Sequence, residues 1–273
     1  MYLCSYVLLC LWWSNVVIAA LSFEQCANFR VVLANRIYRS ASLDSASPSD
    51  QRRLREELGV KTFIDLRGED ERSCTWEQAT EGTKVLSIPL LEANRFYEGV
   101  VSEWPWERKV ENAWWGIFDG KKQADLYYDS VNANGLPGLY RVMLRTGKAE
   151  ILQALTAIAD PTNHPVVFNC AKGKDRTGII AVLLQHCMGV PLEEITRDYT
   201  LSESLLPPED GKKQRDGRGI LWEQMAGTPA WALRDTLDAV EKEYSSLSGY
   251  LDTIGFPQES RQQLRDLWRE AES

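Results

Sequence analysis

At 273 residues the chain is long enough for one large domain or two small ones, and 44% apolar with 26% charged residues is ordinary globular composition. A collagen, a coiled-coil rod and a wholly disordered chain are excluded. Acidic side chains outnumber basic ones 39 to 31, so most of the surface repels a phosphate backbone and no nucleic-acid partner is expected. An anionic ligand therefore needs a local cluster of positive charge.

Residues 1–23 carry no charged side chain. The apolar runs Tyr6 to Leu11 and Val16 to Leu21 read as a secretory signal or a membrane anchor, with Ala19-Ala20 supplying small residues for cleavage. No Lys or Arg precedes the runs, and Ser14 and Asn15 interrupt them, so a buried strand is a third reading. The first two readings make the protein secreted or membrane-anchored, with membrane contact through this segment; the third makes it cytoplasmic. Residues 24–273 read as a single domain, because strand and helix patterns alternate without repeats or low-complexity tracts.

Arg36 to Ser40 reads as a short strand. A helix follows from Pro48 to Leu58, with Ser47 at its N-cap, Pro48 at its first position and Gly59 just past its end. Val60 to Leu66 and Lys84 to Leu90 read as buried strands. Residues 91–147 hold Phe96, Tyr97, Trp104, Trp106, Trp114, Trp115, Phe118, Tyr127 and Tyr128, which suit either a helical lid over a site or a helical subdomain packed on a sheet. Lys148 to Ala159 places Ile151, Leu155 and Ile158 at helical spacing and stops at Asp160-Pro161. Pro165 to Asn169 is a third buried strand, and an apolar helix runs from Ile179 to Met188. Of the two histidines, His164 reads as a turn residue and His186 as a satisfied core histidine.

The chemistry concentrates between that last strand and helix, in Asn169-Cys170-Ala171-Lys172-Gly173-Lys174-Asp175-Arg176-Thr177-Gly178. Strand, tight loop and helix start make an anion cradle, in which loop amides point inward and the helix dipole adds positive charge. The amides of Ala171, Lys172, Gly173 and Lys174 would hold phosphate oxygens. The same field favours the thiolate of Cys170, the nucleophile. Arg176 can grip two phosphoryl oxygens bidentately, as a lysine point charge cannot. Thr177 is placed to donate its hydroxyl to the sulfur as a phosphocysteine breaks down. Six cysteines without C-x-x-C spacing give neither a disulfide scaffold nor a zinc site, although Cys26 and Cys74 are free to pair in an oxidising compartment. No metal or other cofactor is expected.

These residues resemble the cysteine-based protein tyrosine phosphatase superfamily, and within it the bacterial and fungal branch whose loop reads Cys-x-x-Gly-Lys-Asp-Arg-Thr-Gly. Asn28-Phe29-Arg30, Ile37-Tyr38-Arg39-Ser40, Ile64-Asp65-Leu66-Arg67 with Glu71, Asp198-Tyr199-Thr200-Leu201-Ser202 and Gly249-Tyr250-Leu251 with Gly255 extend the resemblance. It implies an α/β fold, a tyrosine-phosphatase-like three-layer sandwich whose mostly parallel central sheet carries helices on both faces and a helical lid insertion. Two departures stand out. Asn169 replaces the usual His before the nucleophile, keeping a hydrogen-bonding group for the loop but no positive charge, and Val31-Val32-Leu33 replaces the usual Gly-Gly.

No Trp-Pro-Asp tripeptide supplies the proton donor of the better-known branches. The resemblance points instead to Asp175 in the loop and Asp65 of the Asp-Leu-Arg segment, and places Arg67 at the substrate. Asp175 could otherwise bind loop amides, and Asp65 could pair with Arg67 or Arg176. The implied activity is hydrolysis of phosphotyrosine in proteins through a phosphocysteine, without a metal. Lys172 and Lys174 leave a phosphoinositide or dual-specificity phosphatase as the alternative. A non-catalytic phosphate-binding module is the other. The basic stretch Lys212-Lys213-Gln214-Arg215 with Arg218 reads as a solvated loop or a docking site.

Overall fold

The structure, a computed structural model, describes residues 23–73, 82–207 and 224–272. The N-terminal apolar segment up to residue 22, Cys74 and the basic stretch from Lys212 to Arg218 lie outside the described residues. Five strands, β1 (Arg30–Leu33), β2 (Ile37–Ser40), β3 (Thr62–Asp65), β4 (Lys84–Ser87) and β5 (Val166–Asn169), form one sheet in the order β1-β2-β5-β3-β4. Only the β1–β2 pairing is antiparallel; β2–β5, β5–β3 and β3–β4 run parallel. Val31-Val32-Leu33 thus extends the sheet edge, a strand that the motif reading of Asn28-Phe29-Arg30 did not foresee.

The described residues contain ten α-helices: α1 (Pro48–Arg52), α2 (Ala93–Ser102), α3 (Trp106–Phe118), α4 (Gly120–Thr146), α5 (Lys148–Ala159), α6 (Arg176–Met188), α7 (Leu192–Leu205), α8 (Ala230–Tyr244), α9 (Leu247–Thr253) and α10 (Gln258–Glu272). The alternation of side chains along each strand sorts the core onto two faces. Ile37, Ile64, Val166 and Phe168 point into a large cluster with α5, α6, Tyr140 and the C-terminal helices. Tyr38, Phe63 and Val167 point the other way, into a smaller cluster with Phe29, Leu43 and Leu54. The chain is α/β, with helices covering both faces of a mostly parallel sheet. No helix among the described residues is long and apolar enough to cross a membrane.

Local signals act as the sequence leads one to expect at α1, where the Ser47 hydroxyl accepts from the Asp50 amide at 3.1 Å and Asp50 reaches back to the Ser47 amide. The helix does not continue to Leu58 as one α-helix. From Arg53 to Glu57 it widens into a π-turn, with Leu58 N donating to Arg53 O at 2.9 Å, before Gly59 leaves at φ +60°. The strands are shorter than the apolar runs that contain them, β4 is mostly exposed at the sheet edge rather than buried, and α6 begins three residues before Ile179, so that Arg176 and Thr177 occupy its first turn.

Residues 91–147 hold α2, α3 and α4, the last broken at Gly135. Trp104 is buried with Val100, Val131 and Val142, and its indole donates to Ser130 Oγ at 2.7 Å. α3 is inside out. Its inward side is polar, with Asn112 donating to the Tyr97 hydroxyl at 2.9 Å and Arg108 to Leu126 O at 3.2 Å. Trp106, Val110, Trp114, Ile117 and Phe118 are exposed. His186 is not a core histidine; partly buried on α6, it meets Ser248 Oγ at 3.0 Å.

Candidate active site

Strand register puts Ser40, Asn169 and Asp65 side by side at the C-terminal ends of β2, β5 and β3. Ligands of open α/β sheets bind at this end of the strands, where loops feed helix N-termini. Cys170 follows directly on β5, 3% exposed, and α6 starts six residues later at Arg176. The residues between make the expected tight loop.

Three consecutive loop carbonyls are turned outward onto the scaffold. Ala171 O accepts from Ser42 N at 3.0 Å, Lys172 O from Asn28 Nδ2 at 3.0 Å, and Gly173 O from Arg39 Nη2 at 2.8 Å. Pulling carbonyls to the outside leaves the amides for the inside, which is how a loop becomes an anion-binding nest. Gly173 has φ +66°, and a Cβ there would stand 2.3 Å from Ser40 O, so both conformation and space require glycine.

Behind the loop lies a buried charge cluster. Asp198 on α7 accepts from Arg30 Nε at 2.6 Å and from Arg39 Nη1 at 2.7 Å, and Arg30 Nη2 also reaches Ser202 Oγ at 2.9 Å. Burial resists ionisation of Asp198, but the two guanidinium groups outweigh it and hold its carboxyl below the usual range. Asn28, Arg30, Arg39 and Asp198 were visible as motif residues; their common task is to brace the loop.

Arg176 presents its guanidinium to Glu71, with Nη1–Oε2 and Nη2–Oε1 both 2.5 Å. Desolvation opposes the charge on Arg176, but Glu71 and the nearby Cys170 raise its pKa above the ordinary value. Asp65 does not meet Arg176. Its carboxylate, fully buried, is held by Arg67 Nε at 3.0 Å and Arg72 Nε at 2.9 Å. Arg67 is itself buried, and it also donates to Asp44 Oδ2 at 2.8 Å and Ser42 Oγ at 3.0 Å. Asp65 and Arg67 therefore brace each other beneath the site.

Asp175 occupies the N-cap position of α6 without capping it. Tyr140 donates its hydroxyl to Asp175 Oδ1 at 2.8 Å, and the Tyr140 and Tyr199 hydroxyls are 2.8 Å apart. Burial raises the Asp175 carboxyl above the usual range, against the opposing pull of Lys174, Tyr140, Lys172 and Arg176. Lys174 is buried and donates to Met225 O at 2.8 Å and Gly227 O at 3.0 Å, whereas Lys172 is exposed. Thr177 is buried in the first turn of α6, and its Oγ1 has no hydrogen-bond partner among the described residues. Asn169 was expected to hydrogen-bond the loop; both its amide atoms lack a partner among those residues. Cys26 is buried and free, its thiol 3.6 Å from Asp50 Oδ2.

Proteins similar to this chain bear phosphatase names. A family model described as the tyrosine phosphatase family matches residues 23–270. The chain is similar to a tyrosine-protein phosphatase of Nostoc commune, 28% identical over 243 residues that cover 85% of this chain and 74% of that one. It is also similar to the triple specificity protein phosphatase PtpB of Mycobacterium tuberculosis, 23% identical over 272 residues, 90% of this chain and 95% of that one. Among solved structures, the core catalytic domain of the PP-IP phosphatase SIW14 from S. cerevisiae aligns with a TM-score of 0.41 at 16% identity, covering 84% of this chain and 98% of that one. With a family match that spans nearly all of its length, the chain belongs to the tyrosine phosphatase family.

Proposed function

We propose that the protein hydrolyses phosphate monoesters through a phosphocysteine, with phosphotyrosine in proteins as its substrate. The observation that carries the reading is the placement of Cys170 at the end of β5, under the first turn of α6 and in the electrostatic reach of Arg176. In the first step the Cys170 thiolate forms an S–P bond as the ester P–O bond breaks, and the leaving oxygen takes the proton of Asp175. In the second, water attacks phosphorus and gives a proton to the Asp175 carboxylate, the S–P bond breaks, and Thr177 donates a hydrogen bond to the departing sulfur. Arg176 and the amides of Ala171, Lys172, Gly173 and Lys174 hold the equatorial oxygens as charge redistributes.

Asp175 is the better donor of the two candidates. Burial makes its carboxyl keep a proton to higher pH, whereas Asp65 already serves two arginines. No metal takes part. Turnover of p-nitrophenyl phosphate in EDTA by wild type, absent from Cys170→Ser, is the expected result. Inactive wild type that is folded and reduced would leave only a phosphate-binding module.

A second reading, a phosphoinositide or dual-specificity phosphatase, is favoured by one observation: Lys172 is exposed on the loop, where it can meet an additional phosphate. Lys174 is less suited, since its ammonium is engaged by two carbonyls. Greater loss on lipid than on phosphotyrosine in Lys172→Ala would establish this second reading.

A further inference from the structure

Tyr140 belongs to the part of α4 that follows the break at Gly135, and it is fully buried. Its hydroxyl has one proton. That proton goes to Asp175 Oδ1, so the 2.8 Å contact with Tyr199 has Tyr199 donating to Tyr140. The two rings meet edge to face, with centroids 6.2 Å apart and planes at 86°, which fixes the angle of each phenol. The outcome is a directed chain, Tyr199 to Tyr140 to Asp175, in which each bond polarises the next.

We propose that Tyr140 is the positioning residue of the proton donor, holding Oδ1 of Asp175 so that the other oxygen carries the transferable proton toward the leaving group. This rests on the reading of Asp175 as proton donor given above. A carboxyl at an N-cap would normally be spent on the first helix amides. Here it is drawn away from them by a phenol from a different helix. The phenols stay donors throughout, because burial raises the pKa of both Tyr140 and Tyr199 above the ordinary tyrosine value.

The charged and titratable groups facing Asp175 are Lys174, Lys172 and Arg176 on its own loop and helix, Tyr140 from α4 and Tyr199 from α7. The cations and the Tyr140 hydrogen bond favour the carboxylate, and burial favours the acid. Removing the phenol proton therefore shifts Asp175 further toward the acid form, and it frees the carboxyl to swing.

The test compares Tyr140→Phe, Tyr199→Phe and Asp175→Asn on two substrates, a phosphotyrosine peptide with a poor leaving group and p-nitrophenyl phosphate with a good one. Asp175→Asn should lose roughly 10²- to 10⁴-fold in kcat on the peptide and far less on p-nitrophenyl phosphate. Tyr140→Phe should lose about tenfold on the peptide and less than about twofold on p-nitrophenyl phosphate, with the basic limb of its pH profile moved up by about half a unit to one unit. Tyr199→Phe should shift both readouts in the same direction by less. Equal losses on both substrates with an unmoved basic limb in Tyr140→Phe, beside a selective loss in Asp175→Asn, would overturn the role of Tyr140 and leave the donor reading standing. An Asp175→Asn variant that shows no dependence on the leaving group would overturn the donor reading itself.

Discussion

Arg176 and Glu71 meet fork to fork, with both N–O distances 2.5 Å, and Glu71 is itself fixed by accepting from the Gly68 amide at 2.9 Å. Arginine has five N–H donors and this pairing uses two, so the carboxylate can aim the guanidinium while leaving donors for an oxyanion. Burial works against ionisation of Glu71, but the hydrogen bonds and charge of Arg176 win and hold its carboxyl below the usual range. Glu71→Gln keeps the shape and removes the charge. It should lower kcat/KM for p-nitrophenyl phosphate roughly tenfold, through both KM and kcat, because what is lost is the aim of a group that holds the phosphoryl oxygens in the ground state and as charge redistributes in the transition state. Unchanged kcat/KM in a steady-state titration would show that Arg176 is held without help from Glu71.

Asp198 joins Arg30 and Arg39 in the interior, and Arg39 passes the constraint to Gly173 O. Removing one partner of such a cluster strands buried charge. Asp198→Asn leaves two buried guanidinium groups facing a neutral amide, and it should cost about 3–5 kcal/mol of stability in urea unfolding. The pH dependence has a definite sign. Because the folded carboxyl lies below its unfolded value, its stabilisation is complete above the unfolded pKa of about 4 and declines as pH falls toward the folded value. Wild type should therefore lose stability below about pH 4 more steeply than Asp198→Asn. Parallel curves for the two proteins would assign the acid sensitivity elsewhere.

The parts legible in the sequence are those written in local order. Ser47-Pro48 and Gly59 mark a helix that starts where capping chemistry puts it, and the strand–loop–helix around Cys170 follows from the apolar run, Gly173 and the Arg-Thr-Gly ending. The illegible parts depend on partners far away in the chain. Asp198 lies 168 residues from Arg30, and Tyr140 lies 35 residues from Asp175, inside an aromatic-rich stretch where nothing distinguishes it from its packing neighbours. Lys174 shows the same limit. Its position in the loop suggests substrate contact, but carbonyls 51 and 53 residues away take its ammonium. The π-turn after Arg52 was hidden because a widened turn preserves helical composition.

The aromatic residues between α2 and α4 divide into two populations with opposite consequences. Trp104 is 6% exposed and hydrogen-bonded to Ser130, whereas Trp114 is 56% exposed on the outer side of α3. Trp104→Ala should cost about 3–5 kcal/mol through lost transfer free energy and the cavity left behind. Trp114→Ala should stay within about 0.5 kcal/mol of wild type. Chemical denaturation of the two variants checks the contrast. Similar losses would mean that Trp114 is not exposed in solution.

Asn169 lies between Ser40 and Asp65 on the central strand, fully buried, and its backbone carbonyl accepts from Leu66 N at 2.9 Å. The backbone is satisfied; the side-chain amide has no partner among the described residues. Burying a polar group with no hydrogen bond costs about 1–3 kcal/mol, and an apolar group of the same shape avoids that cost. Asn169→Leu keeps the heavy-atom count and branching of the amide, with methyl groups that are somewhat bulkier. It should leave thermal stability unchanged or raise it, with Tm equal to or above that of wild type. A Tm lower by several degrees, corresponding to about 1 kcal/mol or more, would mean that the amide is hydrogen-bonded in solution. The usual family histidine is bulkier and carries two ring nitrogens that would need partners at this fully buried position. Asn169→His should therefore be less stable than Asn169→Leu, and the order of the two melting temperatures gives an independent reading of how polar this site is.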